Sequence, residues 1–243
     1  MKIKSLFKLL IGTVFLSGLT SCLDDSEDIR NIVEGSQYAI VEYAENGELL
    51  LRSSEGYLFF SEDLQDKTWN SGTPVWVYHS INWYDQPYKD KVVSKIQQIN
   101  RVPYFSAIPK EESFDKTSFQ LIEELYFPEY INKNLFFWVH FPKEAQEKKF
   151  SYDIFYEENE AINNLYTIYI IAKENASESF SSENGVAMSV NNFIASEGET
   201  KGRDKISVMI KYATEINKDG ELVFKTHLFP DDSEVITIWE KSK

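Results

Sequence analysis

The sequence predicts an all-β protein, a small five-stranded barrel followed by a β-sandwich. Aromatic residues are abundant (17 Phe, 14 Tyr and 5 Trp) and fall in short runs with Val and Ile, a composition that favours strands. Apolar and polar residues alternate with period two along several of these runs, as in strands with one buried face. Asn-Gly and Asp-Gly pairs stand between runs, where tight hairpin turns need positive φ. With 243 residues, 42% hydrophobic and 26% charged, the chain is long enough for two cores and close to a globular average.

The first domain is expected over residues 37–108. Residues 38–43 and 49–52 flank Asn46-Gly47, and residues 57–61 follow Glu55-Gly56. Two longer runs, 74–81 and 91–102, complete five strands. In the last, Val92, Val93, Ile96 and Ile99 also fit a helical stripe, and the surrounding β pattern decides for strand. A short helix is expected from Ser118 to Tyr126, with Leu121, Ile122 and Leu125 on one side and Pro128 ending it.

The second domain is expected over 118–243. Phe150, Tyr152, Ile154 and Tyr156 share one strand face, as do Ile206, Val208, Ile210 and Tyr212. Residues 135–141 and 165–172 are apolar on both faces, as strands inside a sandwich would be. Asp219-Gly220 reads as a hairpin turn, residues 235–239 as the closing strand, and the serine-rich stretch 177–185 as a loop.

The net charge of −14 disfavours nucleic acid, whose binding depends on counterions released by Lys and Arg. The chain has a single cysteine, Cys22, so no disulfide or thiolate metal site is expected.

Residues 1–21 read as a signal peptide. Lys2 and Lys4 precede an apolar stretch over 9–19, which is too short to span a bilayer. It ends in Leu19-Thr20-Ser21-Cys22, which resembles the lipobox of bacterial lipoproteins. That resemblance implies cleavage before Cys22, a diacylglyceryl group on its sulfur and an acyl chain on its new amino group. Several acyl chains on one residue make anchoring durable, at about 0.8 kcal/mol per buried methylene. Cleavage would remove three of the 25 basic residues, leaving 22 against 39 acidic ones, a net −17. Residues 22–36 are expected to form an acidic tether. Leu23-Asp24-Asp25-Ser26-Glu27-Asp28 is similar to the tract that sends Bacteroidetes lipoproteins to the outer face of the outer membrane, and a merely solvated linker is the other reading.

Chemistry-bearing motifs are sparse. His79, His140 and His227 are isolated in sequence, without the paired spacing of metal sites, so structural or solvent-facing roles are expected and no metal. The sequence contains no Gly-x-Ser-x-Gly elbow and no phosphate-binding loop, and its acidic pairs are too many to single one out. No catalytic residue and no cofactor are expected. The densest aromatic region runs from Trp69 through Trp76 and Tyr78 to Trp83, Tyr84 and Tyr88. Alternation around Val75 and Val77 assigns Trp76 and Tyr78 to the core and favours packing for the remainder. The last three are nonetheless the candidate ligand-binding aromatics, for a sugar or a protein.

The order of these features resembles the NigD-like family of Bacteroidetes lipoproteins. The likeness rests on Tyr57-Leu58-Phe59, on Gly72-Thr73-Pro74-Val75-Trp76-Val77-Tyr78 and the strand at 93–102, and on Asn134-Leu135-Phe136-Phe137 and Lys205-Ile206-Ser207-Val208-Met209-Ile210. It implies an OB-like barrel, then an immunoglobulin-like sandwich, and no catalytic residues. Where the family has a glycine-rich turn at the sandwich entrance, this chain has Tyr130-Ile131-Asn132-Lys133. Two functions stand open. One is a non-enzymatic binding or protective module on the cell surface, bacteriocin-immunity-like. The other is a glycan-binding accessory lipoprotein using Trp83, Tyr84 and Tyr88. The expected partners are the membrane, through lipid on Cys22, and either a protein or a glycan.

Overall fold

Which face a strand buries follows from the parity of its apolar residues, and that parity organises both halves of the chain. The computed structural model describes residues 32–110, 119–145, 148–174, 185–229 and 231–241. The expected signal peptide, Cys22 and residues 23–31 lie outside the described residues, as does nearly all of the loop at 177–185.

The first half contains β1 (Ile32–Tyr43), β2 (Leu49–Arg52), β3 (Leu58–Phe60), a single helical turn α1 (Glu62–Gln65), β4 (Pro74–Asn82), β5 (Val92–Val93) and β6 (Lys95–Arg101). Strand β1 takes in residues 32–36, which sequence alone assigns to the tether. These strands form one sheet in the order β5-β3-β2-β1-β4-β6. Its two outermost strands, β5 and β6, are consecutive in the chain and separated only by Ser94. One kinked strand therefore supplies both edges, and the sheet curls until those edges meet. The small barrel expected with five strands takes this form, a six-stranded sheet whose ladder no pairing between β5 and β6 closes. The kink at Ser94, whose amide bonds the Phe60 carbonyl at 2.9 Å, divides the last strand in two and leaves the ladder unclosed. Ala39, Val41, Leu49, Leu51, Phe59, Val75, Val77 and Ile81 fill the interior.

The second half contains β7 (Tyr104–Ser106), β8 (Ile108–Pro109), β9 (Phe119–Gln120), β10 (Glu124–Ile131), β11 (Asn134–His140), β12 (Phe150–Glu158), β13 (Leu165–Glu174) and β14 (Val186–Ser189). A short helix α2 (Asn191–Phe193) runs into π-helical Ile194–Thr200, followed by β15 (Lys205–Ile216), β16 (Leu222–Thr226) and β17 (Val235–Glu240). One sheet has the order β10-β11-β14-β7 and the other β16-β15-β13-β12-β8, with β17 on β15 and β9 on β13. Between the sheets lies a core that includes Leu135, Phe137, Tyr152, Ile154, Ile168, Ile170, Val208 and Ile210. The all-β sandwich-like architecture is the one the alternation predicts.

The helix expected from Ser118 to Tyr126 is corrected where it is described. Phe119 and Gln120 pair with β13, the Ile122 amide bonds the Ala213 carbonyl at 2.9 Å, and Leu125 sits opposite Val139. Ile122 and Leu125 are buried as a helical stripe would bury them, but long-range ladder bonds hold their backbone. Pro128 ends no helix. It lies inside β10 at a register shift between Tyr126 and Glu129, a place where a missing N–H is tolerated.

Strands β7 and β8, which fall in the expected first domain, pair instead with β14 and β12 of the sandwich. A third cluster joins the halves: Tyr38, Ile40 and Val102 pack with Ile131, Phe136 and Ala187, and the half-buried Trp76 lies against them. Here the even residues of β1 meet the sandwich while Ala39 and Val41 face the first core. Gly185 makes this approach possible. A Cβ built on it would lie 2.0 Å from the Tyr38 hydroxyl, and its φ of +71° is left-handed.

Candidate functional site

Between β4 and β5 the chain makes a loop that sequence marks only as aromatic. Its shape is held by one side chain. The Gln86 amide donates to the carbonyls of Asn82 (2.8 Å) and Val93 (3.1 Å), and its oxygen accepts from the Val93 amide (2.7 Å). Asn82 begins the loop with an Asx turn, its side-chain oxygen accepting from the Tyr84 amide at 3.2 Å. A loop pinned in this way loses little further entropy when something docks on it.

On this frame Trp83 is 44% exposed, Tyr84 82% and Tyr88 45%. The expectation that most of the aromatic cluster is packing is met only in part by these three: all are exposed, although Trp83 and Tyr88 still meet rings of the β3 segment. For Trp76 and Tyr78 the expected core is only half met. Both are half-buried, and Tyr78 donates its hydroxyl to Glu34 at 2.9 Å.

The exposed rings form two edge-on pairs rather than one stack. Trp83 meets Tyr57 with centroids 6.0 Å apart and planes at 63°, and Tyr88 meets Phe60 at 6.2 Å and 69°. Both partners belong to the β3 segment, which bridges the pairs. Lys91 stands 4.2 Å from the Tyr88 centroid and 4.4 Å from that of Phe60, and is tied to Glu48 at 2.6 Å. That hydrogen bond holds the Glu48 carboxyl below its usual range. Tyr57 and Lys91 were not among the candidate ligand-binding residues read from sequence. The one signal for Tyr57 is its place after a Gly turn, where no alternation buries it.

The histidines lie on separate elements. His79 is buried, bonds Gln37 at 2.9 Å through Nε2 and has no partner for Nδ1 among the described residues; burial lowers its pKa. His227 is also buried and lowered mainly by burial, while His140 stands 3.4 Å from Glu123 at the surface. Among the described residues no group of three His, Cys, Asp or Glu lies together as metal ligands would. No described helix is long and apolar enough to cross a membrane.

A polar cluster that sequence does not reveal surrounds Glu197 on the π-helical segment. Glu197 is 7% exposed and accepts from the Tyr166 hydroxyl at 2.8 Å and the Ser196 hydroxyl at 3.3 Å, and it pairs with Lys201. Burial opposes its ionisation, but the bonds from Lys201, Tyr166 and Ser196 outweigh it and hold the carboxyl below its usual range. The hydroxyls of Tyr166 on β13 and Tyr156 on β12 both reach Glu197, so the cluster fixes the π-helical segment on those strands.

No known family's sequence profile matches the chain, and no curated protein matches it. Solved structures do. An uncharacterized protein from Parabacteroides merdae ATCC 43184 superposes with a TM-score of 0.61 at 14% identity, covering 84% of this chain and 99% of its own. A protein of Bacteroides fragilis NCTC 9343, described as a candidate lipoprotein, gives 0.57 at 10%, covering 86% and 100%. These two share the fold. The similar structures also include a NigD-like immunity protein from Bacteroides caccae ATCC 43185, with a TM-score of 0.46 at 13% identity, covering 79% of this chain and 91% of its own. At that score it adds nothing to the argument.

Proposed function

We propose that this chain is a lipid-anchored protein of the cell envelope that acts as a non-enzymatic, immunity-like module, docking a protein antagonist on the Trp83 and Tyr84 edge. The observation that carries this reading is the pinned loop with its exposed rings. Trp and Tyr supply much of the binding energy at protein interfaces, and rigid display lowers the cost of association. A sugar-stacking platform is the weaker use of the same rings. Stacking needs open ring faces, yet Lys91 covers one face of Tyr88, and the pairs are set edge-on.

The test is genetic. Deleting the gene should sensitise the cell to an antagonistic protein of a sibling strain while leaving growth on glycans unchanged. The wild-type gene should restore resistance, and one carrying Trp83→Ala with Tyr84→Ala should not, although the protein accumulates normally. Loss of two interface anchors removes about 2 kcal/mol or more, over tenfold in affinity. Unchanged sensitivity across a broad set of antagonists would refute the immunity reading.

Anchoring belongs to the same proposal and rests on the lipobox-like residues 19–22 and the acidic tract after them. The N-terminal peptide of the protein isolated from membranes should begin at Cys22 and carry acyl mass. An unmodified Cys22 in mass spectrometry would sink this part. Protease added to intact cells should degrade the body if the protein faces outward.

A further inference from the structure

A cleft of about 670 Å³ opens where the turn before β4, the junction of β6 and β7, and the turn between β10 and β11 come together. Its volume lies within the range of ordinary ligand sites. We propose that it binds an acidic oligosaccharide, a site independent of the aromatic edge.

The lining carries the proposal. Asn70, Asn132, Asn134 and Asn191 line it from three segments, joined by Ser71, Thr73 and Ser189. A planar amide offers donors and an acceptor side by side, which matches vicinal sugar hydroxyls that both give and accept. Tyr104, 61% exposed, supplies an aromatic wall. Arg101 and Lys133 supply the only charges among the described lining residues, in a chain of net charge −14. The guanidinium of Arg101 is steadied over Trp69, 5.2 Å from its centroid. Glu42 is engaged by Arg52 at 2.7 Å and by the Asn132 amide at 3.0 Å, and Lys133 itself stands 4.0 Å from Glu199, a loose pair with which an anionic ligand would compete. Such a surface selects a ligand that is hydroxyl-rich and carries a carboxylate or sulfate.

The backbone points the same way. Asn132 and Lys133 have φ of 42° and 61°, the left-handed pair of a tight hairpin turn, where Gly is the unstrained choice at the second position. A lysine there carries strain that glycine would remove, and in exchange it places an ammonium on the cleft. The walls are fixed before any ligand arrives. The Val190 amide bonds the Lys133 carbonyl (3.0 Å), the Asn134 side chain the Asn132 carbonyl (3.0 Å), and the Thr73 amide the Asn70 carbonyl (3.2 Å).

The full chain in detergent should be titrated calorimetrically with hyaluronan tetrasaccharide and trigalacturonate, and with neutral chitotetraose and maltotriose. The acidic probes should bind, more weakly as salt is raised, and the neutral ones should not. Lys133→Gly and Arg101→Gln should each weaken binding about tenfold, the factor expected for one charge-assisted hydrogen bond. Lys133→Gly should melt no lower than wild type, because it relieves the turn, so lost binding cannot be blamed on unfolding. Trp83→Ala should leave this binding intact, which separates the site from the proposed docking edge. Absence of acidic-probe binding, equal binding of neutral probes, or full affinity in both charge variants would overturn the proposal.

Discussion

Replacing Phe136 with alanine should destabilise the protein by about 3 to 5 kcal/mol, the range for a fully buried phenylalanine whose cavity cannot close. Phe136 is 0% exposed and stacks on Tyr38, with centroids 4.8 Å apart and planes at 25°. Its chain neighbours Leu135 and Phe137 lie in the sandwich core, so Phe136, with Trp138 at 6.3 Å from the Tyr38 ring, is where β11 grips β1. The surroundings are β strands tied by ladders on both sides, which limits collapse into the vacated volume. Urea denaturation followed by circular dichroism would measure the loss. Tyr38→Ala should cost a similar amount, and the double variant less than the sum, because both remove the same contact. A loss below about 1 kcal/mol for Phe136→Ala would mean that this junction is not packed as described.

That residue also marks where sequence stops being legible. In β12 and β15 the alternation names the buried face correctly, with Tyr152, Ile154, Val208 and Ile210 inside, because only one face meets an apolar partner. In β11 both faces are apolar for different reasons: Phe137 meets the opposite sheet, while Phe136 meets the first half of the chain. Periodicity cannot distinguish two burials. The segment at 119–126 failed because a buried pair three residues apart, Ile122 and Leu125, satisfies a helix and an irregular strand alike. Pairings such as β7 with β14 join residues some eighty positions apart, and nothing local encodes them. For the aromatic loop, sequence names the residues but not their exposure, which depends on three hydrogen bonds from Gln86. The cleft was invisible for another reason. Its asparagines sit in turns or at the first residue of a strand or helix, where asparagine is ordinary, and only the topology brings those places together.

The other large effect is expected at high pH. The chain has 14 tyrosines, and several are held neutral by the fold. Burial raises the pKa of Tyr38, with the charge of Glu129 adding to it, and burial alone raises Tyr152 well above the usual tyrosine range. Tyr166 and Tyr169 are raised first by burial and then by hydrogen bonds to Glu197 and Glu157. Tyr130 is pushed up to about 12 by burial, against a backbone bond from Lys133. In the unfolded chain each would ionise near 10. A group whose pKa is raised by folding contributes stability that is fully present below its unfolded value and is lost as pH climbs toward its folded value. Stability should therefore hold up to about pH 9 and fall steeply beyond 10. For a well-buried ring such as Tyr152 the loss is about 1.4 kcal/mol for each pH unit over which it stays neutral. Three such rings acting together would remove about 8 kcal/mol within two units, comparable to the stability of an ordinary domain. Absorbance at 295 nm and circular dichroism, recorded together from pH 8 to 13, should show part of the tyrosine signal appearing only as the β spectrum collapses. Tyr152→Phe removes one ionisable group at small cost in packing and should move that collapse to higher pH. A single smooth titration of all 14 tyrosines near pH 10, with the fold intact at pH 12, would contradict the burial on which the expectation rests.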